Sequence, residues 1–213
     1  MKKQEVRDMI YTGLNSVLAG NGFRLKKSEE SFVRPISGGQ QRIYVALWDY
    51  QPEFIFSLTM GVRLDAVEQV FHLFSGSPPK YQSMSMTTLT QLEYFTAGKR
   101  KEYKISTEAE ISTALDDLFK IVTEKVLPFF EKYRDVPSIE AAVNSGSLPT
   151  RFDSTQLPAG AMHAVILAHL VGNPNFERMV VQFQDAMRGF PEVEKDKFNR
   201  LVAYLINQPS QNR

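Results

Sequence analysis

Gln41-Arg42-Ile43-Tyr44-Val45-Ala46-Leu47-Trp48, followed a short turn later by Phe54-Ile55-Phe56-Ser57-Leu58-Thr59-Met60, is the stretch on which the fold turns. In the first run Ile43, Val45 and Leu47 share one face of an extended chain, and Tyr44, Ala46 and Trp48 share the other. In the second, Phe54, Phe56, Leu58 and Met60 oppose Ser57 and Thr59. Successive side chains of a strand point to opposite faces, so this is the pattern of an antiparallel sheet with one well-buried face. Pro52 marks the turn between the two runs. Residues 23–27 and 31–36 read as two further strands, and Gly38-Gly39 supplies a hairpin signal before the third.

Helical spacing takes over on either side. Val6, Ile10, Leu14 and Val17 predict a helix over 4–19, stopped by Gly20-Asn21-Gly22. Val67, Val70, Phe71 and Phe74 predict another over 64–74, followed by a loop at 75–79. Strand-like runs return at 87–95 and 102–105. The helix over 107–133 opens on a capping box, Thr107 with Glu110, and buries Ile111, Leu115, Leu118 and Val122; Pro128 is expected to kink or end it.

A short helix is expected over 137–143 and a Ser/Pro/Gly-rich linker over 145–160. Three helices then close the chain. The first, 160–171, is apolar almost all round; Asn173-Pro174 caps the second, and Pro191 opens the third. The fold class is therefore α+β: an antiparallel sheet of about five to six strands packed against helices, with a C-terminal helical segment. The expected organisation is an α+β domain over 1–144, the linker, and a helical segment over 161–213.

Composition narrows the chemistry. Among 213 residues, 25 Lys and Arg balance 24 Asp and Glu for a net charge of +1, which argues against nucleic acid as a partner. The absence of cysteine removes disulfides, thiolate nucleophiles, iron–sulfur clusters and cysteine-based zinc sites. The N-terminus lacks the apolar run of a signal peptide, and 161–171 is far shorter than the roughly 20 residues of a membrane span. The expectation is a cytoplasmic protein with no membrane association.

No catalytic or metal constellation emerges, and no cofactor motif. His163 and His169 lie six apart, about 120° around a helix, where a metal pair needs a spacing of three or four. They and His72 are read as ordinary surface or boundary histidines. Gly38-Gly39 joins two strands, and Ser75-Gly76-Ser77-Pro78-Pro79-Lys80 loses two amide donors to proline, so neither forms a phosphate loop. Asp116 and Asp117 are adjacent on a helix and diverge. Lys99-Arg100-Lys101, near Lys104, Tyr94, Phe95 and Tyr103, has the interleaving that binds single strands, but a charged hairpin tip explains the same residues.

Arg34 shares strand parity with Phe32 and Ile36, which turns it toward the core, where a guanidinium needs a carboxylate. Pro35 at a bulge or edge swings it outward instead, and that is the expectation taken. With Arg42, Trp48 and Tyr50 it then lines an anion-accepting groove beside the sheet.

The segment Gly22-Phe23-Arg24-Leu25-Lys26-Lys27, followed by Phe32-Val33-Arg34, resembles a class of small bacterial α+β proteins of unknown function. The likeness covers residues 4–133 and leaves out the linker and the last helices. It implies a bacterial source and no established activity; some proteins of this kind accompany toxins as immunity or accessory factors. Without a catalytic constellation, and with ample Phe, Tyr, Met and Arg, the chain is expected to be a non-enzymatic module that binds a protein partner. The alternative is a small-ligand-binding protein or metal-independent enzyme whose site is assembled from distant segments.

Overall fold

Alternation over residues 39–64 becomes two long strands, and four shorter ones join them. These are β1 (Arg24–Lys26), β2 (Ser31–Ile36), β3 (Gly39–Tyr50), β4 (Glu53–Leu64), β5 (Thr88–Gln91) and β6 (Tyr103–Ile105). They form one antiparallel sheet in the order β1-β2-β3-β4-β5, with β6 paired to β4 through Phe56↔Tyr103. The structure, a computed structural model, describes residues 1–99, 101–146, 148 and 157–208. Most of the expected linker, Arg100 and the last five residues fall outside that set.

The helices are α1 (Lys3–Leu18), α2 (Asp65–Ser75), α3 (Pro79–Gln82), α4 (Glu108–Ile121), α5 (Leu127–Lys132), α6 (Val136–Asn144), α7 (Ala159–Val171), α8 (Phe176–Ala186) and α9 (Glu192–Ile206). Two units divide them: Met1–Val62 with Thr90–Lys132, and Arg63–Leu89 with Tyr133–Arg213. Among the described residues no helix is long and apolar enough to cross a membrane.

In the first unit the inward residues of β3 and β4, Ile43, Val45, Phe54, Phe56, Leu58 and Met60, are buried. So is the stripe Val6, Ile10, Leu14 and Leu18 of α1, with Ile111, Leu118 and Val122 of the long helix. α1 and α4 approach closely at Gly13, where an added Cβ would sit 2.5 Å from Leu115 Cδ1. Thr107 Oγ1 accepts from the Glu110 amide at 3.3 Å, and Glu110 accepts from the Thr107 amide at 2.9 Å, completing the capping box.

Three local expectations are corrected. Pro128 does not end its helix, which continues to Lys132 after a π turn at Val122–Val126. There the Leu127 amide bonds the Val122 carbonyl, and the extra residue absorbs the register that proline cannot fill. The run 87–95 stays extended only to Gln91; Leu92–Thr96 winds into a 3₁₀ turn, which puts Leu92 and Phe95, three apart and both buried, on one side. Helix α8 starts at Phe176, not at Pro174. Asn173 Oδ1 accepts the Asn175 amide at 2.8 Å, and this local turn uses up the side chain expected to cap.

In the second unit α7 packs against α2, α6, α8 and α9, so its all-round apolar surface is buried within the chain. His163 is its one deeply buried polar side chain.

Candidate functional site

β2 and β3 pair without interruption from Ser31↔Tyr44 to Ile36↔Gly39, so Pro35 makes no bulge and Arg34 keeps the parity of Phe32. That overturns the outward swing expected for it. Arg34 stays at the margin of the inner face: Nη2 lies 2.8 Å from Glu131 Oε1, Nε donates to Gln41 Oε1 at 2.8 Å, and the guanidinium sits 4.8 Å over the Phe23 ring. Gln41 in turn donates to the Phe130 carbonyl at 2.5 Å, so this pair fastens the end of α5 to the sheet.

Arg42 has the opposite parity and lies on the outer face, yet it is only 2% exposed. Its Nη1 is bound by Glu29, and its guanidinium lies 5.4 Å from the Tyr44 ring centroid. Burial works against the Glu29 charge, but the hydrogen bond and charge of Arg42 outweigh it and hold the carboxyl below its usual range. Glu29→Ala is expected to cost about 1–3 kcal/mol of stability, since it strands a buried cation. Urea unfolding measures this, and a loss under about 0.5 kcal/mol would show that water replaces the carboxylate.

The expected groove is therefore divided between two faces. Arg34 and Arg42 are both taken up in structural pairs, whereas Trp48 and Tyr50 are 42% and 62% exposed. Trp48 borders a hollow of about 390 Å³ on the outer sheet face. β3 contributes Ala46 and Trp48, β4 contributes Ser57 and Thr59, and the chain around β5 and β6 adds Gln91, Glu93 and Glu102. Ser57 Oγ donates to the Lys101 carbonyl at 3.0 Å. The side chains of Trp48, Thr59, Gln91 and Glu93 make no hydrogen bond or ion pair among the described residues. Four polar groups thus converge on one concavity with their bonding capacity unspent among the described residues.

Sequence alternation had put Trp48, Ser57 and Thr59 on the outer face, but Gln91 reaches the hollow from the end of β5 and Glu93 only through the turn that follows it. The basic patch is quieter than its composition implies. Lys101 Nζ lies 2.6 Å from Asp117, which also accepts from Tyr103 Oη at 2.7 Å, and Lys104 lies 3.8 Å from Glu53.

A second cluster, missed in the sequence, occupies the second unit. Glu68 on α2 is 0% exposed and His163 on α7 is 2% exposed. Glu68 Oε1 accepts from Thr87 Oγ1 at 2.8 Å and from His163 Nε2 at 3.0 Å; Oε2 accepts from Ser85 Oγ at 2.6 Å. His163 Nδ1 faces the Ala159 carbonyl at 2.9 Å, so both ring nitrogens lie beside oxygen acceptors. Phe71 stacks on the ring at 4.2 Å. Burial pushes the Glu68 carboxyl up, but His163, Ser85 and Thr87 outweigh it and hold its pKa at about 2. The surface or boundary reading of His163 is thereby overturned. The one signal for it was a lone ionisable residue inside an apolar helix.

Ser85 Oγ also lies 2.7 Å from His72 Nε2, the spacing of a nucleophile and its base. The rest of its environment quenches that chemistry. Its hydroxyl proton faces the Glu68 carboxylate, while Arg63 Nη1 donates to the same oxygen at 2.8 Å. A serine held by a guanidinium and a carboxylate is a structural tie. Among the described residues no three or more His, Asp or Glu gather as metal ligands. Compared with known proteins, the chain matches no family model, no curated protein and no solved structure.

Proposed function

We propose that the protein is a non-enzymatic binding module that engages a partner protein through the outer face of its sheet, around Trp48 and Tyr50. What supports the reading is the exposure of these two aromatics beside a hollow in which the Thr59, Gln91 and Glu93 side chains make no hydrogen bond or ion pair among the described residues. Tryptophan and tyrosine are the side chains that most often anchor protein interfaces, because each removes a large rigid surface from water at little entropic cost. The two arginines that sequence reasoning placed beside them serve the fold instead.

The test is photo-cross-linking from position 50 in the native host, with position 193 on α9 as an exposed control. A specific protein adduct is expected from position 50 and not from 193, and Trp48→Ala is expected to reduce it at least about tenfold. Stability of that variant should change by no more than about 0.5 kcal/mol, as for other exposed substitutions. Equal adducts from both positions, or an adduct indifferent to Trp48→Ala, would refute the reading.

A further inference from the structure

The hollow beside Trp48 has a chemistry of its own. Its lining combines an indole, the Glu93 and Glu102 carboxylates, the Gln91 amide and the Thr59 hydroxyl, with Ala46 among them. Glu93 is half-buried, so its carboxylate is only partly hydrated while no cation among the described residues pairs with it. An indole face attracts cations through its quadrupole more strongly than any other side chain. A planar guanidinium satisfies both groups at once, stacking on the ring while its N–H fork binds the carboxylate in two places. Phosphate and other anions meet the wrong charge there, and an aliphatic side chain would leave the amide, hydroxyl and carboxylate without partners.

We infer that the hollow bordered by Trp48 and Glu93 is a pocket for an arginine side chain of the partner protein. This rests on the sheet-face reading above and names the group the face recognises.

Trp48 is the one tryptophan of the chain, so emission of the intact protein reports on this hollow alone. Titration with the blocked peptide acetyl-Gly-Arg-Gly-amide is expected to give a saturable change in emission. The same peptide with citrulline keeps the shape and most donors but lacks the charge, and is expected to bind about tenfold more weakly or worse. Glu93→Gln should bring the arginine peptide down to the citrulline level without shifting the thermal midpoint.

Equal titrations for arginine and citrulline, no saturable change with either, or saturation by glucose or a mononucleotide in place of the arginine peptide would overturn the inference. The two readings fail separately. A position-50 adduct that is lost in Trp48→Ala but unaffected by Glu93→Gln removes the arginine pocket and leaves the interface. Arginine binding that saturates while the adduct ignores Trp48→Ala removes the interface reading, and with it the assignment of the arginine to a partner.

Discussion

Glu68→Ala is expected to lower the unfolding free energy by about 3–5 kcal/mol, the range for removing one partner of a buried charge pair. Four groups depend on this carboxylate. His163 Nε2 at 3.0 Å, Ser85 Oγ at 2.6 Å and Thr87 Oγ1 at 2.8 Å donate to it, and His72 Nε2 lies 3.6 Å away. With alanine in its place, the buried imidazole faces a hole instead of a carboxylate, Thr87 Oγ1 loses its acceptor, and Ser85 Oγ keeps the Gln82 carbonyl at 2.9 Å. Replacing both ends behaves differently, because an apolar pair needs no solvation. The double variant Glu68→Leu/His163→Leu is expected to lose clearly less than the sum of Glu68→Leu and His163→Leu. Guanidinium unfolding of the four proteins closes the cycle. A Glu68→Ala loss below about 1 kcal/mol, or strict additivity in the cycle, would show that the pair is not coupled.

Acid should unfold the same unit, and the direction follows from the groups involved. The Glu68 pKa is about 2 in the fold, against an ordinary value of 4.5. A carboxyl depressed by folding contributes stability that is complete above the unfolded pKa and disappears as pH falls toward the folded one. The gap corresponds to about 3 kcal/mol lost between pH 4.5 and pH 2. Burial also lowers the pKa of His72 and of His169 below 6.5. For a base lowered by folding, the unfolded chain takes up the proton first, so these two start the decline just below that pH. Stability is therefore expected to slope gently down from about pH 6.5 and steeply below about pH 4.5. Urea midpoints measured from pH 8 to pH 2.5 test this. In Glu68→Gln the steep acidic limb should flatten, and an unchanged limb would assign it to other carboxylates.

Much of the scaffold could be read in advance because it depends on local periodicity. Phe54, Phe56, Leu58 and Met60 declare an inner face at a spacing of two, and Thr107 with Glu110 declares a helix start within four residues. Errors arose where the deciding partner is distant or the local chemistry has a rival. Pro128 signals a break by itself, and only the turn wound before it reconciles it with a continuing helix. Asn173 is a good cap, but it bonds the Asn175 amide first. Arg34 and Arg42 looked like ligands for an anion because Glu131 and Glu29 lie elsewhere in the sequence, and no pattern at either arginine points to them. The hollow was half legible: alternation gave its Trp48 and Thr59 side, while Glu93 arrives through a turn that no period of two or three announced.

The pairing of Glu68 with His163 spans 95 residues. A ribosome releases the chain in order, so α2 emerges with its carboxylate long before the histidine that bonds it has been synthesised. Until α7 appears, Glu68 is better solvated than buried, and docking of α2 has little to gain. The acid thus delays completion of this unit to the last stage of synthesis. Nascent chains arrested ahead of α7 should remain open to proteolysis along 63–89, even where the strands of the other unit have already paired.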